Sequence, residues 1–239
     1  MTDTPIIDTQ VLREQVREKY RAVAVDPDAT YHFHTGRSLA DRLGYDPTIV
    51  DTLPDRAVES FAGVANPFSL RTIAPGERVV DIGSGAGFDS FVAAHHVGPA
   101  GEVVGIDMTE EMLAKAAATA ELLALPHVVF RYGFAEDLPV DDGWADVVIS
   151  NGVINLCADK RAVFDEEPNG VTRPHDLVAG RLIVLAVAVK HSVDVFPPEV
   201  TDTGLERSRA PVSLVVRICT QREHVGHRVP ARKERGFFK

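Results

Sequence analysis

The segment Val79-Val-Asp-Ile-Gly-Ser-Gly-Ala-Gly-Phe88 constrains this chain more than any other. A short apolar run, Arg78–Ile82, ends in Gly83, Gly85 and Gly87, and a helical stretch, Asp89–Val97, opens directly after them. Glycine is needed where the backbone turns tightly and must approach a ligand with no Cβ in the way. The helix N-terminus beyond it offers N–H groups that lack intrahelical partners. About twenty residues later Asp107 ends the next strand-like run, Glu102–Asp107, where a carboxylate accepts hydrogen bonds from both hydroxyls of a ribose. Strand, glycine turn, helix and acidic residue in this register read as a cofactor loop rather than as a flexible turn.

The spacing of the glycines narrows the cofactor. Dinucleotide-binding turns follow G-x-G-x-x-G, with the third glycine letting the helix pack close to the strand. Here Phe88 stands at that third position and the glycine comes one residue early, giving G-x-G-x-G preceded by Asp81. A nicotinamide-dependent oxidoreductase is thereby disfavoured, though not eliminated.

Around this loop, residues 71–190 alternate strand and helix signals. Thr109 is a plausible N-cap, with Glu110 and Glu111 in the favourable first turn of a helix running to about Ala124. Val128–Tyr132, Asp146–Ser150 and Leu182–Val189 are further buried-type strands. Such alternation predicts an α/β fold with a mostly parallel sheet and helices on both faces. Residues 1–70 form a helical N-terminal extension on the lid or substrate side. In it Val11, Leu12, Val16 and Tyr20 share a helix face, Asp26-Pro27 breaks the helix, a loop-rich stretch passes through Leu39–Leu43, and a second helix is placed near Arg56–Val64. Residues 191–239 are atypical. Val212–Ile218 allows a strand, and no other is clear there.

Composition excludes several partners. A net charge of −10 over 239 residues lacks the basic face that nucleic acid or an anionic membrane requires. No apolar run is long enough to span a bilayer. The two cysteines, Cys157 and Cys219, make neither a disulfide framework nor a zinc motif, and with an N-terminus unlike a signal peptide they point to the cytoplasm.

From Val79 to about Phe164 the chain resembles class I S-adenosylmethionine (SAM)-dependent methyltransferases of the arsenite-methyltransferase-like branch, and is similar also to the ubiquinone/menaquinone C-methyltransferases. The matching stretches are Val79–Asp89, Gly98–Met108, Gly133–Pro139 and Asp146–Leu156. The resemblance implies a Rossmann-like fold with SAM as cofactor and a small-molecule methyl acceptor. Position by position, it places Asp81, Gly83, Ser84 and Gly85 at the methionine end, with Gly87 completing the loop. Asp107 falls on the ribose, Met108 on the adenine face, Ala135 and Glu136 at the adenine edge, and Asn151 after the fourth strand. Met108 as a core side chain, Glu136 as a solvated acid and Asn151 as a turn cap are the competing structural readings.

Two departures qualify that implication. Where arsenite methyltransferases carry a cysteine in Ser-Asn-Cys-Val-Ile-Asn-Leu, this chain has Gly152, and no cysteine precedes it. Trivalent arsenic is a soft ion held by several thiolates, so a small organic acceptor is expected instead. After Phe164, Pro168 and Asn169-Gly170 end any helix early. The alternatives are accordingly a non-catalytic SAM-binding protein or a damaged methyltransferase with an altered C-terminus. His32 and His34 are the candidate bases, with an ordinary loop role favoured, and no catalytic residue is assigned.

Overall fold

The computed structural model describes residues 9–27, 34–157, 163, 182–189 and 213–220. Its elements are α1 (Thr9–Val25), α2 (Gly36–Arg42), α3 (Pro47–Val50), α4 (Asp55–Val58), β1 (Arg78–Ile82), α5 (Phe88–Val97), β2 (Glu102–Asp107), α6 (Glu110–Leu122), β3 (Val128–Tyr132), β4 (Val147–Asn151), β5 (Leu182–Val189) and β6 (Ser213–Thr220). One six-stranded sheet runs in the order β3-β2-β1-β4-β5-β6. Strands β1 to β5 are parallel, with Val79 opposite both Val103 and Val147, and β6 alone runs antiparallel, against β5. The α/β fold expected from the alternation is thus present.

The continuous apolar character of β1, β2 and β4 has a direct cause, because these strands are covered on both sides. On one face Val79, Val103, Val147 and Ile149 pack with Phe91, Ala94 and Val97 of α5 and Ala120 of α6. On the other, Val80, Ile82, Val104, Ile106 and Val148 meet Leu138, Val140, Ala145 and Ile154. Among the described residues the second face is covered by the connection from Gly133 to Asp146, by Ile154 and by Val163. Helix α5 stops where Gly98 takes φ +62°, as the Gly98-Pro99 pair predicts. Helix α6 ends at Leu122, two residues short of the expected Ala124, which sits at φ +52°.

The N-terminal section differs more from expectation. Helix α1 reaches Val25, but its inward face buries Val16 and Val23, with Tyr20, Val23 and Ala24 packed on Ala86 and Met112, and Val11 is exposed. The stretch through Leu39–Leu43, expected as loop, is α2. Gly36 enters it at φ +77° and Gly44 leaves it at φ +74°, so a glycine stands at each end. The single helix expected over Arg56–Val64 is only α4, because the chain extends after Glu59 to run along the mouth of a cleft. Arg37 ties these short helices together. It donates to the carbonyls of Val50 (2.8 Å) and Leu53 (2.6 Å) and to Asp55.

Lys115 of α6 anchors the section to the sheet domain. Its ammonium donates to Ser60 Oγ at 2.8 Å and lies 2.5 Å from a Glu59 carboxylate oxygen, with the Ala24 carbonyl at 3.5 Å. Lys115→Met would leave these acceptors facing an apolar chain. The expected cost is about 1–2 kcal/mol, read as a lower urea midpoint at an unchanged denaturant slope.

Candidate cofactor cleft

In a sheet of this order the chain leaves β1 toward β2 and β3 on one side and toward β4 and β5 on the other. The crevice at the carboxyl ends of β1 and β4 is the topological switch point, where ligands of open α/β sheets bind. A cleft of about 120 Å³, open to solvent, lies there. It is lined by eight of the ten residues named from the sequence, namely Gly83, Ser84, Gly85, Asp107, Met108, Ala135, Glu136 and Asn151.

The loop after β1 is built by glycines that no other residue replaces easily. Gly83 has φ +73°, and a Cβ on it would meet Val153 at 2.0 Å. The amides of Gly83 and Ser84 both donate to the Ile106 carbonyl, at 2.7 and 3.0 Å, which folds the loop over the end of β2. Gly85 has φ +53°, and a Cβ there would meet nothing within 4 Å, so its bare Cα faces open cleft. The Asp107 carboxylate joins the two strand ends. One oxygen accepts from the Gly85 amide at 2.9 Å and the other from the Thr109 amide at 2.8 Å. Burial raises its pKa, against those N–H donors, which favour the charged form. The Thr109 hydroxyl and the Met108 amide act in the same direction, and a carboxylate oxygen can accept more than one hydrogen bond.

Two of the ten residues do not line the cleft. Asp81, 1% exposed, lies beneath the loop and accepts from Ser90 Oγ at 2.7 Å. Gly87, at φ +89°, is packed against Phe91 and Phe130, which a Cβ would meet at 2.9 and 2.8 Å. Both shape the loop from below. The competing readings of the others resolve residue by residue. Met108 is half-buried on the cleft wall, whereas Met112 is the core methionine. Glu136 is ion-paired with Arg13 at 3.3 Å, rather than solvated alone. Asn151 uses both ends of its amide on the protein, accepting from the Val64 and Ala65 amides and donating to the Ala65 carbonyl and Asp89.

Several lining residues escaped the sequence reading. Helix α1 roofs the cleft with Arg13, Val16 and Tyr20. The Arg13 guanidinium stacks 4.5 Å from the Phe134 ring centre while it pairs with Glu136. The Tyr20 hydroxyl is pushed up to about 12, by burial first and by the negative charge of Asp107 second. The helical face of α1 was the available signal for these residues. Phe61, Ala62 and Gly63 also line the cleft and had no motif to announce them, and Asp89 lines it too, at the end of the Val79–Asp89 stretch but with no role assigned from the sequence. His32 lies outside the described residues, and His34 is exposed and does not line the cleft. Cys157 lines it, half-buried. Among the described residues no group of His, Cys, Asp and Glu is arranged to hold a metal ion, and no helix is long and apolar enough to cross a membrane.

Known proteins share this arrangement. Residues 73–193 match a family model described as a methyltransferase domain. The chain is 38% identical over 208 residues to an arsenite methyltransferase of Halobacterium salinarum, covering 81% of this chain and 53% of the relative. It is 43% identical over 118 residues to an arsenite methyltransferase of Aquipseudomonas alcaligenes, covering 44% of this chain and 34% of the relative. Among solved structures, an arsenic(III) S-adenosylmethionine methyltransferase from Chlamydomonas reinhardtii superposes with a TM-score of 0.52 at 32% identity, covering 59% of this chain and 48% of that one. The chain therefore spans about half the length, or less, of these relatives.

Proposed function

Because this chain belongs to the family of SAM-dependent methyltransferase domains, we propose that the cleft at the β1/β4 switch point binds SAM and presents its methyl group to a small organic acceptor. The observation that carries this reading is the convergence of the glycine loop and Asp107 on one crevice, joined by the Gly85 amide at 2.9 Å. The residues fit such a ligand. Gly85 leaves room for close backbone approach, Asp107 keeps acceptor capacity for a ribose diol, and Met108 and Ala135 offer apolar surface to a base.

Bound SAM supplies an electrophilic methyl carbon on a sulfonium sulfur. The chain's part is to bind, orient and exclude water. Asp107 fixes the ribose, while the Gly83–Gly85 backbone faces the methionine end. Asp81 and Gly87 act indirectly, by holding that loop in shape. Glu136 and Ala135 border the adenine edge, with Arg13 over it. Val16, Tyr20, Phe61 and Leu156 surround the reaction space with largely apolar surface. Rate enhancement in such a site comes mostly from positioning in a dry environment. No residue is assigned as a base.

Gly152 supports the organic acceptor. It adopts φ +82° and its Cβ position is 3.2 Å from Val64, so the conformation suits glycine and would strain a cysteine. The relatives named for arsenite motivate the competing acceptor.

Arg13→Ala is expected to speed SAM release about five-fold in stopped-flow displacement. A half-exposed ion pair and a cation–π contact are together worth on the order of 1 kcal/mol. The exchanged pair, Arg13→Glu with Glu136→Arg, should recover part of that loss.

The primary test is calorimetric titration of the purified chain with SAM and, separately, with NAD. Saturable SAM binding with none for NAD supports the reading, and a folded sample that ignores SAM defeats it. S-adenosylhomocysteine release would then be followed with small phenols and thiols, and with arsenite in the presence of a thiol. Turnover of arsenite alone would overturn the organic acceptor.

A further inference from the structure

A buried polar cluster that includes Asp89 and Asn151 of the cleft lining, together with Tyr45 behind them, sits at one wall of the cleft. Its centre is Asp89, in the first turn of α5, 6% exposed. Tyr45 Oη donates to one of its oxygens at 2.6 Å, and Asn151 Nδ2 donates to the other at 2.9 Å. The same Asn151 amide grips the Phe61–Ala65 segment from both sides. Its oxygen accepts from the Val64 and Ala65 amides at 2.8 and 3.2 Å, and its nitrogen donates to the Ala65 carbonyl at 2.8 Å. Nδ2 also lies 3.1 Å from Tyr45 Oη, and Tyr45 Oη lies 3.1 Å from the Ala65 carbonyl. Gly63 is packed so tightly here that a Cβ would meet Asn151 and Phe61 at 2.5 Å. Phe61, Ala62 and Gly63 line the cleft, so this cluster holds one of its walls.

Counting protons shows why the charge on Asp89 matters. Tyr45 has one hydrogen and two acceptors in reach, the Asp89 carboxylate and the Ala65 carbonyl. With Asp89 ionised, Tyr45 donates to it and Asn151 divides its two hydrogens between Asp89 and Ala65. A proton on Asp89 must itself be donated. Placed toward Tyr45, it turns the phenol onto Ala65, and placed toward Asn151 it meets N–H groups that have to withdraw. Either arrangement replaces the charge-assisted bonds from Tyr45 and Asn151 to Asp89 with weaker neutral ones, so that Asn151, whose amide carries the grip on Val64 and Ala65, is held less firmly. The titratable group facing Asp89 from β1 is Asp81. Its carboxyl is pushed well up by burial first and by the Asp89 charge second. From the α2–α3 connection the facing group is Tyr45, from β4 it is the neutral Asn151, and the Phe61–Ala65 segment contributes backbone.

We infer that Tyr45, Asp89 and Asn151 are positioning residues that fix the Phe61–Ala65 wall of the cleft, and that this wall tightens when Asp89 loses its proton. Burial brings the Asp89 midpoint up to about 6, against the hydrogen bonds from Tyr45 and Asn151 that favour the ionised form. The tie is therefore formed above that pH and loosened below it.

The test rests on the proposed SAM site only in its second arm. In the ligand-free full chain, amide exchange at Val64 and Ala65 is followed by NMR between pH 5 and 8 and corrected for intrinsic rates. Protection is expected to rise through a midpoint near 6. Tyr45→Phe keeps the ring contacts with Phe61 and Phe88 and removes one hydrogen bond to the charged carboxylate. It should move the midpoint up by roughly one pH unit and lower protection at pH 7 about tenfold. In the second arm, the SAM dissociation constant should follow the same midpoint in each protein. Should Tyr45→Phe fold poorly, Asn151→Ser leaves the Tyr45–Asp89 bond in place and is expected to lose the protection at Val64 and Ala65. Equal midpoints in wild type and Tyr45→Phe, or unchanged protection in Asn151→Ser, would overturn the inference. Protection that titrates as expected in a chain that ignores SAM would uphold the tie and defeat the functional reading.

Discussion

Asp107→Ala should weaken SAM binding by about 100-fold or more while the chain still folds. The carboxylate has two duties. It holds the Gly85 and Thr109 amides, and in the proposed reading it also accepts from the ribose hydroxyls. Hydrogen bonds to an ionised acceptor are worth roughly 1.5–3 kcal/mol each, so the loss of two ribose contacts alone accounts for that factor. Asp107→Asn separates the effects further. An asparagine oxygen can serve one of the two backbone amides, but its NH2 group must then face the other, donor against donor. The loop is expected to shift, and asparagine should recover little of the affinity despite its matching shape. Calorimetry with SAM, beside a thermal melt of each variant, checks this. Asp107→Asn binding within about threefold of wild type would show that the carboxylate charge does not hold the cofactor.

That Asp107 was legible in the sequence while Asp89 was not has a physical reason. Strand, glycine turn, helix and second strand are local patterns, set by side-chain period and by backbone conformations that only glycine reaches cheaply. They fixed β1, α5, β2, α6 and β3 to within a residue or two. The sheet order follows from right-handed crossovers between such units, and with it the switch point. Asp89 gains its role from Tyr45 and Asn151, which lie 44 and 62 residues away. No spacing in the chain encodes that meeting. Asp81 shows the reverse case. The motif marks it correctly as part of the loop, yet a strand end pointing into the layer beneath puts it under the cleft, bonded to Ser90. The short helices α2 and α3 were unreadable, and α4 was read too long, because they are held by the Arg37 hub and, at α3, by the Asp46 cap rather than by an apolar period of their own.

The glycines of the loop should divide sharply when each is replaced by alanine. Gly83→Ala is expected to prevent stable folding, or to lower the unfolding free energy by several kcal/mol, read from the urea midpoint. A Cβ at 2.0 Å from Val153 is far inside contact distance, and φ +73° adds about 1 kcal/mol for any non-glycine residue. Because the collision is with one side chain, Gly83→Ala combined with Val153→Ala should recover most of the loss beyond the φ cost and the small cavity. The double-mutant cycle would then be strongly non-additive. Gly85→Ala meets nothing within 4 Å and has the milder φ of +53°. That variant should stay within about 1–2 kcal/mol of wild-type stability, and its effect should fall on the ligand instead. Its methyl group enters the space the SAM backbone contact needs, so affinity should drop at least about tenfold in a well-folded protein. The pair would separate two functions within one motif, the packing of the loop against Val153 at Gly83 and the proposed ligand contact at Gly85. If Gly85→Ala bound SAM as wild type does, the open space beside that Cα would not be where the cofactor lies.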